Sequence, residues 1–207
     1  PRIRPPFPPQ RGVFDMPTTV NNVETIASVP FIIKEGAAAY KKLGTEKSPG
    51  TKLFCISGHV NRPGVYELPM GSLLRELVVD LASARDIKAV QIGGATGSII
   101  PLDKLDTPLC HEAVLGSGAV VVFNTTRDII DIVYKDMLFL HEESCGKCTP
   151  CRDGMEAMVE IYRRLMDGLG TLEDLTILRD LAQAMSLASL CGLGQTAAVP
   201  VLDSLKY

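Results

Sequence analysis

Polar and apolar positions divide the 207-residue chain into stretches of different period. From Asn22 onward, Val23, Ile26, Ala27, Phe31 and the segment 37–40 recur at helical spacing. This predicts one or two helices, with Pro30 as the break and Gly36 and Gly44 as end signals. Beyond Thr51 the period shortens. LFCIS (53–57) is apolar with β-branched and aromatic character, GHVNRPG supplies turn residues, and VYELP resumes the extended pattern, so a hairpin is expected. Residues 72–81 then place Leu73, Leu74, Leu77, Val78 and Leu81 on one helical face, with Ser72 as N-cap. Strands at 89–92 and 119–123, with a short extended SIIPL between them, complete a small sheet carrying a helix on one face.

The last third reads as helical. Residues 129–140 are apolar almost throughout and lead into HEESCGKCTPCRDG. Amphipathic segments follow at 155–166 and 172–187, separated by DGLGT, and Thr171 with Asp174 forms a capping box. At the other end, six prolines within residues 1–17 remove backbone donors and favour extended neighbours, which predicts an irregular arm that must lean on something else. The fold class expected is therefore α+β, a small sheet domain followed by a helical bundle.

Composition narrows the function classes. The formal charge is −3, from 24 acidic and 21 basic side chains, and no Lys/Arg-rich run offers a footprint for phosphates, so nucleic acid is not expected as a partner. Apolar runs such as 119–123 fall far short of the ~20 residues a spanning helix needs, and PRIRPPFPP is not a charged-then-apolar leader, so a soluble chain is expected. The first residue is Pro1, inside a proline cluster, which leads us to expect a piece of a longer polypeptide.

Of the six cysteines, Cys145, Cys148 and Cys151 stand at CxxCxxC spacing, which suits a reducing compartment where thiolates bind metal rather than pair. Three such thiolates round a single loop can meet three corners of an iron-sulfur cube, and the fourth ligand can come from any segment that folds back. Cys191 is the candidate, because the intervening chain fits two antiparallel helices and their turn. Gly146, Gly154, Gly192 and Gly194 flank these cysteines, where absent side chains permit close approach. Zinc competes, but structural zinc usually draws on separated CxxC pairs. Lys147 and Arg152 can either raise a cluster's potential or act as ordinary solvated charges.

Other candidates weigh less. Cys55 reads as a small buried group in its strand. The adjacent Cys110 and His111 lack anything to orient a base, His141 at a helix end needs no functional role, and His59 belongs to a turn. The GGATG turn (93–97) is neither a dinucleotide nor a P-loop motif.

ESCGKCTPCRDG followed by SLCGLGQTA resembles the flavin-containing, NADH-binding subunit of respiratory complex I and its relatives in NAD-linked hydrogenases and formate dehydrogenases, with CGLGQTA closer to the hydrogenase branch. The resemblance extends to RIRPPFPPQRGVFDMPTTVNNVET and GTKLFCISGHVNRPGVYELP, and so spans nearly the whole chain. It implies a flavin-domain tail with a linking helix (1–50), a β-grasp-like SLBB domain (51–124) and a helical [4Fe-4S] domain (125–207). It also implies polar contacts from Asn21, Asn22 and Thr25 to FMN, although helix capping is the simpler role for asparagine. The glycine-rich segments that bind NADH in the family would precede Pro1. The implied function is electron transfer from NADH-reduced FMN through the cluster. It would proceed in a multi-subunit oxidoreductase with further iron-sulfur subunits, including a thioredoxin-like [2Fe-2S] subunit, in the cytoplasm or on the matrix face of a membrane complex. The alternatives are a docking module stapled by zinc and a small-ligand site in the β-grasp unit.

Overall fold

The computed structural model describes residues 5–207, so the opening of the proline arm lies outside the described residues. The described part of the arm is irregular, with turns closed by Gln10 and Arg11 N–H on the Phe7 carbonyl and a single 3-10 turn at Val13–Asp15. Helix α1 (Val23–Glu35) follows, its N-terminus capped by Asn22 Oδ1, which accepts the Thr25 N–H at 3.2 Å. Pro30 does not break it. A proline removes one helical hydrogen bond, but the break comes at Gly36, whose φ of 86° is a conformation that glycine adopts without strain. Helix α2 (Ala37–Lys41) then leads to the sheet.

Strands β1 (Thr51–Gly58), β2 (Gly64–Pro69), β3 (Ile87–Ile92), β4 (Ser98–Pro101) and β5 (Ala119–Asn124) form one mixed sheet in the order β2-β1-β5-β3-β4. The β1–β2 hairpin is antiparallel, β5 lies parallel to β1, and β3 is antiparallel to both β5 and β4. One face packs on the 72–81 segment, burying Phe54, Ile56, Val90, Val120 and Val122 against Leu74, Leu77 and Val78. Strand alternation settles Cys55 differently from expectation. With Phe54 and Ile56 turned inward, the period of two turns Cys55 outward, where it is exposed.

The helix expected at 72–81 is also altered. Its regular part is a π-helical turn at Glu76–Leu81, and Ser72 does not cap it. The Leu74 and Arg75 N–H groups are taken by the Thr107 and Leu105 carbonyls, so the adjacent loop satisfies the donors a serine cap would have met.

Three long helices make the bundle: α3 (Ile129–Glu143), α4 (Thr149–Met166) and α5 (Leu172–Ala188). The Thr171–Asp174 capping box opens α5 as the sequence predicts, and Arg164 pairs with Asp174. Two short helices that the periodicity did not disclose, α6 (Gly192–Thr196) and α7 (Val199–Lys206), close the chain. The bundle and the sheet share a core. Ala89 and Ile99 project into the helical cluster around Val133, Met137, Met155 and Met185, and Asp203 Oδ2 accepts the Ile99 N–H at 2.9 Å. Among the described residues, no helix is long and apolar enough to cross a membrane.

A cleft of about 450 Å³ between the sheet and α3 is lined by His59, Gln91, Arg127, Asp131, Lys135 and Asp136. Within it, Gln91 Nε2 donates to Asp136 Oδ2 at 2.6 Å, yet burial pushes the Asp136 carboxyl up to about 6. The folded chain thus holds this proton more tightly than the unfolded chain, whose aspartate titrates near pH ~3.9. Stability should fall as pH rises from about 4 to about 6 and stay lower above that. Asp136→Asn keeps an acceptor for Gln91 and removes the ionisation. We expect it to exceed the native chain by up to about 3 kcal/mol at pH 7 and to match it near pH ~4, in urea unfolding at both pH values. A pH-independent difference would contradict this assignment.

Candidate metal centre

The cysteine loop owes its shape to the end of α3 and the start of α4. Helix α3 terminates at Ser144, whose extended backbone turns the chain away, and Gly146 takes φ 66° so that the loop can reverse. The expected single loop is shorter than the motif. Helix α4 begins at Thr149, so Cys148 occupies its N-cap position and Cys151 its first turn, with Pro150 at a helix start where a missing N–H costs nothing. Anionic sulfur is favoured at this helix end, where backbone N–H groups lack carbonyl partners. Arg152 braces the loop by donating from its guanidinium to the Gly146 carbonyl at 3.0 Å, while pairing with Asp153 at 2.7 Å. Lys147 is exposed on the same loop.

Helices α4 and α5 run as an antiparallel pair, and Gly154 permits the contact. A Cβ there would lie 2.8 Å from Met185 Sδ. At the far end of α5, Ser189 leaves the helix in extended conformation and Cys191 becomes the N-cap residue of α6. The corner packs tightly. A Cβ on Gly194 would stand 2.6 Å from Ser189 Oγ and 2.9 Å from the Cys151 Cβ.

This return brings the 189–194 segment onto the cysteine loop. The Cys148 thiol is held below its ordinary range chiefly by the Leu190 backbone N–H. Burial pushes the Cys151 thiol up; Ser144 opposes this, while the neighbouring Cys148 and Cys191 reinforce it. Cys151 is thereby in electrostatic reach of two of the other three expected residues, Cys148 and Cys191. Cys151 is buried, Cys148 half-buried, and Cys191 exposed. Cys145 is exposed on the loop just ahead of them.

Among the described residues, no group of three or more Cys, His, Asp or Glu side chains is arranged to hold a metal ion. A tetrahedral single-ion site would draw its sulfurs to about 3.8 Å of one another. A cube, with a metal atom at each ligated corner, spaces its thiolates more widely, and the cysteine side chains brought together here, Cys151 with Cys148 and Cys191, are of the donor type such a cluster takes.

The remaining candidates fall elsewhere. Asn22 serves as the α1 cap, and Asn21 and Thr25 are exposed on the same turn. Cys110 is buried in its loop, and His59 Nδ1 lies 3.2 Å from the Val122 carbonyl in the sheet cleft. The site also contains groups that spacing alone did not disclose: the Ser144 hydroxyl, 3.4 Å from Cys151 Sγ, the Leu190 N–H, and Ser189. The only sequence signal for them was adjacency to the cysteines.

Comparison with known proteins places these features in context. Residues 131–207 match the family model of the NADH-ubiquinone oxidoreductase-F iron-sulfur binding region, and residues 53–81 match the SLBB domain. The whole chain is 36% identical to the mitochondrial NADH dehydrogenase [ubiquinone] flavoprotein 1 of Dictyostelium discoideum, covering 46% of that protein. It is 40% identical to the NAD-reducing hydrogenase HoxS subunit alpha of Cupriavidus necator, covering 34% of it. A crystal structure of an NAD+-reducing [NiFe]-hydrogenase in the H2-reduced state superposes over the whole chain with a TM-score of 0.87 at 42% identity, covering 37% of that chain. The chain spans about half the length of the NADH-quinone oxidoreductase relatives it matches. Overall identity does not separate the quinone-linked from the hydrogenase branch.

Gly194→Ala is expected to destabilise the chain by about 1–3 kcal/mol, because the new methyl overlaps Ser189 and Cys151. Gly192→Ala, which meets nothing within 4 Å, should change it little. Urea unfolding of the two variants compares them directly, and equal effects would show that the corner is not packed as described.

Proposed function

The chain carries the iron-sulfur binding region of the NADH-ubiquinone oxidoreductase-F family together with an SLBB domain, and on that basis we propose that it conducts electrons through a [4Fe-4S] cluster held by Cys145, Cys148, Cys151 and Cys191. The observation that carries this reading is the return of the α5–α6 corner, which sets the Leu190 N–H on Cys148 and brings Cys191 within electrostatic reach of Cys151. The cluster supplies a site that accepts and releases single electrons, at a potential set by charge, hydrogen bonding and exposure.

The protein's own groups supply the rest. The Leu190 N–H and the N-terminal end of α4 stabilise thiolate at Cys148 without a proton. Cys151, packed among Met155, Met185 and Ala197, keeps water from the inner side of the site. Cys145 and Cys191 lie at the surface, so the outer side offers a short path to a donor or acceptor on another domain or subunit. Arg152 keeps a positive charge beside Cys148 while holding the loop through the Gly146 carbonyl.

The wider assignment belongs to the same proposal. The relatives named above are NADH-linked or NAD-linked by name, which supports a place for this chain in a multi-subunit NAD-linked oxidoreductase. Its electrons would come from FMN, and its partners would be other iron-sulfur subunits, including a thioredoxin-like [2Fe-2S] subunit. On this reading the exposed Asn21 and Thr25, with the amide nitrogen of Asn22, contact the flavin.

Chemical iron and sulfide analysis together with the EPR spectrum of the reduced protein tests the core of the proposal. A full cube with a reduced-state signal is expected. Replacing any one of the four ligand cysteines with Ser should abolish that signal, and Cys55→Ser, at an exposed position of β1, should retain it. Colourless protein containing stoichiometric zinc would overturn the electron-transfer reading in favour of a structural staple.

A further inference from the structure

One serine hydroxyl adjoins Cys151, and a second faces the same glycine, Gly194, as the Cys151 Cβ. Ser144 Oγ lies 3.4 Å from Cys151 Sγ and accepts the Gly146 N–H at 3.2 Å. With the N–H directed at its lone pair, the Ser144 hydrogen is left for the sulfur. A metal-bound thiolate has no proton to give, so in the loaded site the direction is fixed as O–H to S.

Ser189 is the more unusual of the pair. It is 5% exposed, and its Oγ is the one buried side-chain oxygen or nitrogen without a hydrogen-bond partner among the described residues. Its backbone is fully engaged, the N–H with Met185 O at 3.1 Å and the carbonyl with Gln195 Nε2 at 3.0 Å. The hydroxyl sits over the bare Cα of Gly194, the glycine that also faces the Cys151 Cβ. An orphaned hydroxyl in such a place is destabilising, a cost that alanine would avoid. The position therefore calls for an acceptor that the protein alone does not provide, and the side chain across the same glycine is the candidate ligand Cys151.

We propose that Ser144 and Ser189 are positioning residues that donate O–H hydrogen bonds to sulfur of the bound cluster, Ser144 to Cys151 Sγ and Ser189 to cluster sulfur beside it, and thereby raise its reduction potential. The inference rests on the cluster reading above. Reduction places additional negative charge on the sulfurs, so a hydroxyl hydrogen aimed at them stabilises the reduced state more than the oxidised one. The two donors act on the inner side of the site, which the buried Cys151 shields from water; the exposed Cys145 and Cys191 can exchange solvent hydrogen bonds instead.

The test is an EPR-monitored redox titration of the cluster-loaded protein, with iron and sulfide content measured on each sample. Ser189→Ala and Ser144→Ala should retain the cluster and shift its midpoint negative. A tenfold change in the electron-transfer equilibrium per hydroxyl corresponds to about 59 mV for one electron. Ser189→Gly, which also lacks the hydroxyl and relieves the contact over Gly194, gives the same reading should the alanine variant fail to assemble. A fully loaded Ser189→Ala or Ser189→Gly protein with the native midpoint overturns the assignment of Ser189, and the same result for Ser144→Ala overturns that of Ser144. Native protein that takes up no iron or sulfide refutes the cluster reading itself, an outcome distinct from an unchanged potential.

Discussion

The close antiparallel packing of α4 on α5 is the constraint on which the site depends. Cys148 and Cys151 open α4, and Cys191 follows the far end of α5, so the two ends meet only if the helices lie side by side at the correct axial offset. Gly154 against Met185 sets that approach, and the Thr171–Asp174 capping box with Arg164 fixes the turn between the helices. A bulkier residue at 154 or a looser turn would move Cys191 away from its partners while leaving both helices formed. The relative placement of these cysteines is therefore controlled by helix packing at Gly154 and Met185 and by the turn at Thr171–Asp174, not by the cysteine loop alone.

The sheet serves this arrangement by anchoring the bundle. Ala89 and Ile99 enter the helical core, and the Ile99 N–H bonds to Asp203 on α7, so the last helix is tied both to the sheet and, through Tyr162 and Ser204, to α4. The opposite pole of the chain is less enclosed. No residue of α1 is buried, and Val23, Ile26, Phe31 and Ile33 are all exposed, although Glu24 secures the helix to β1 through the Leu53 N–H and Lys52.

Electrostatics at the cysteine loop follow from the same geometry. The Leu190 N–H favours thiolate at Cys148, whereas burial and neighbouring sulfur disfavour it at Cys151. A cation bound among them would remove that penalty, because it turns mutual repulsion of thiolates into shared attraction. Arg152 contributes a fixed positive charge at the exposed edge, and the Ser144 and Ser189 hydroxyls lie at the half-buried and buried positions on the inner side.

The α+β division, the hairpin with the three remaining strands, the three long helices and the candidate ligand set were legible in the sequence because each depends on local pattern: a period of two, a period of 3.6, a capping box, a CxxCxxC spacing. What tertiary structure decided depended on partners that local pattern does not reveal. The outward turn of Cys55 follows from which face of β1 the 72–81 segment covers, and the loss of the Ser72 cap follows from carbonyls at 105 and 107 reaching its helix first. Pro30 reads as a break, but one missing hydrogen bond is small beside the backbone freedom of Gly36. Cys191 could be named as the candidate fourth ligand from its spacing alone. That Leu190, Ser144 and Ser189 would line the site could not, because serine and leucine carry no chemical signature until packing places their donors beside sulfur.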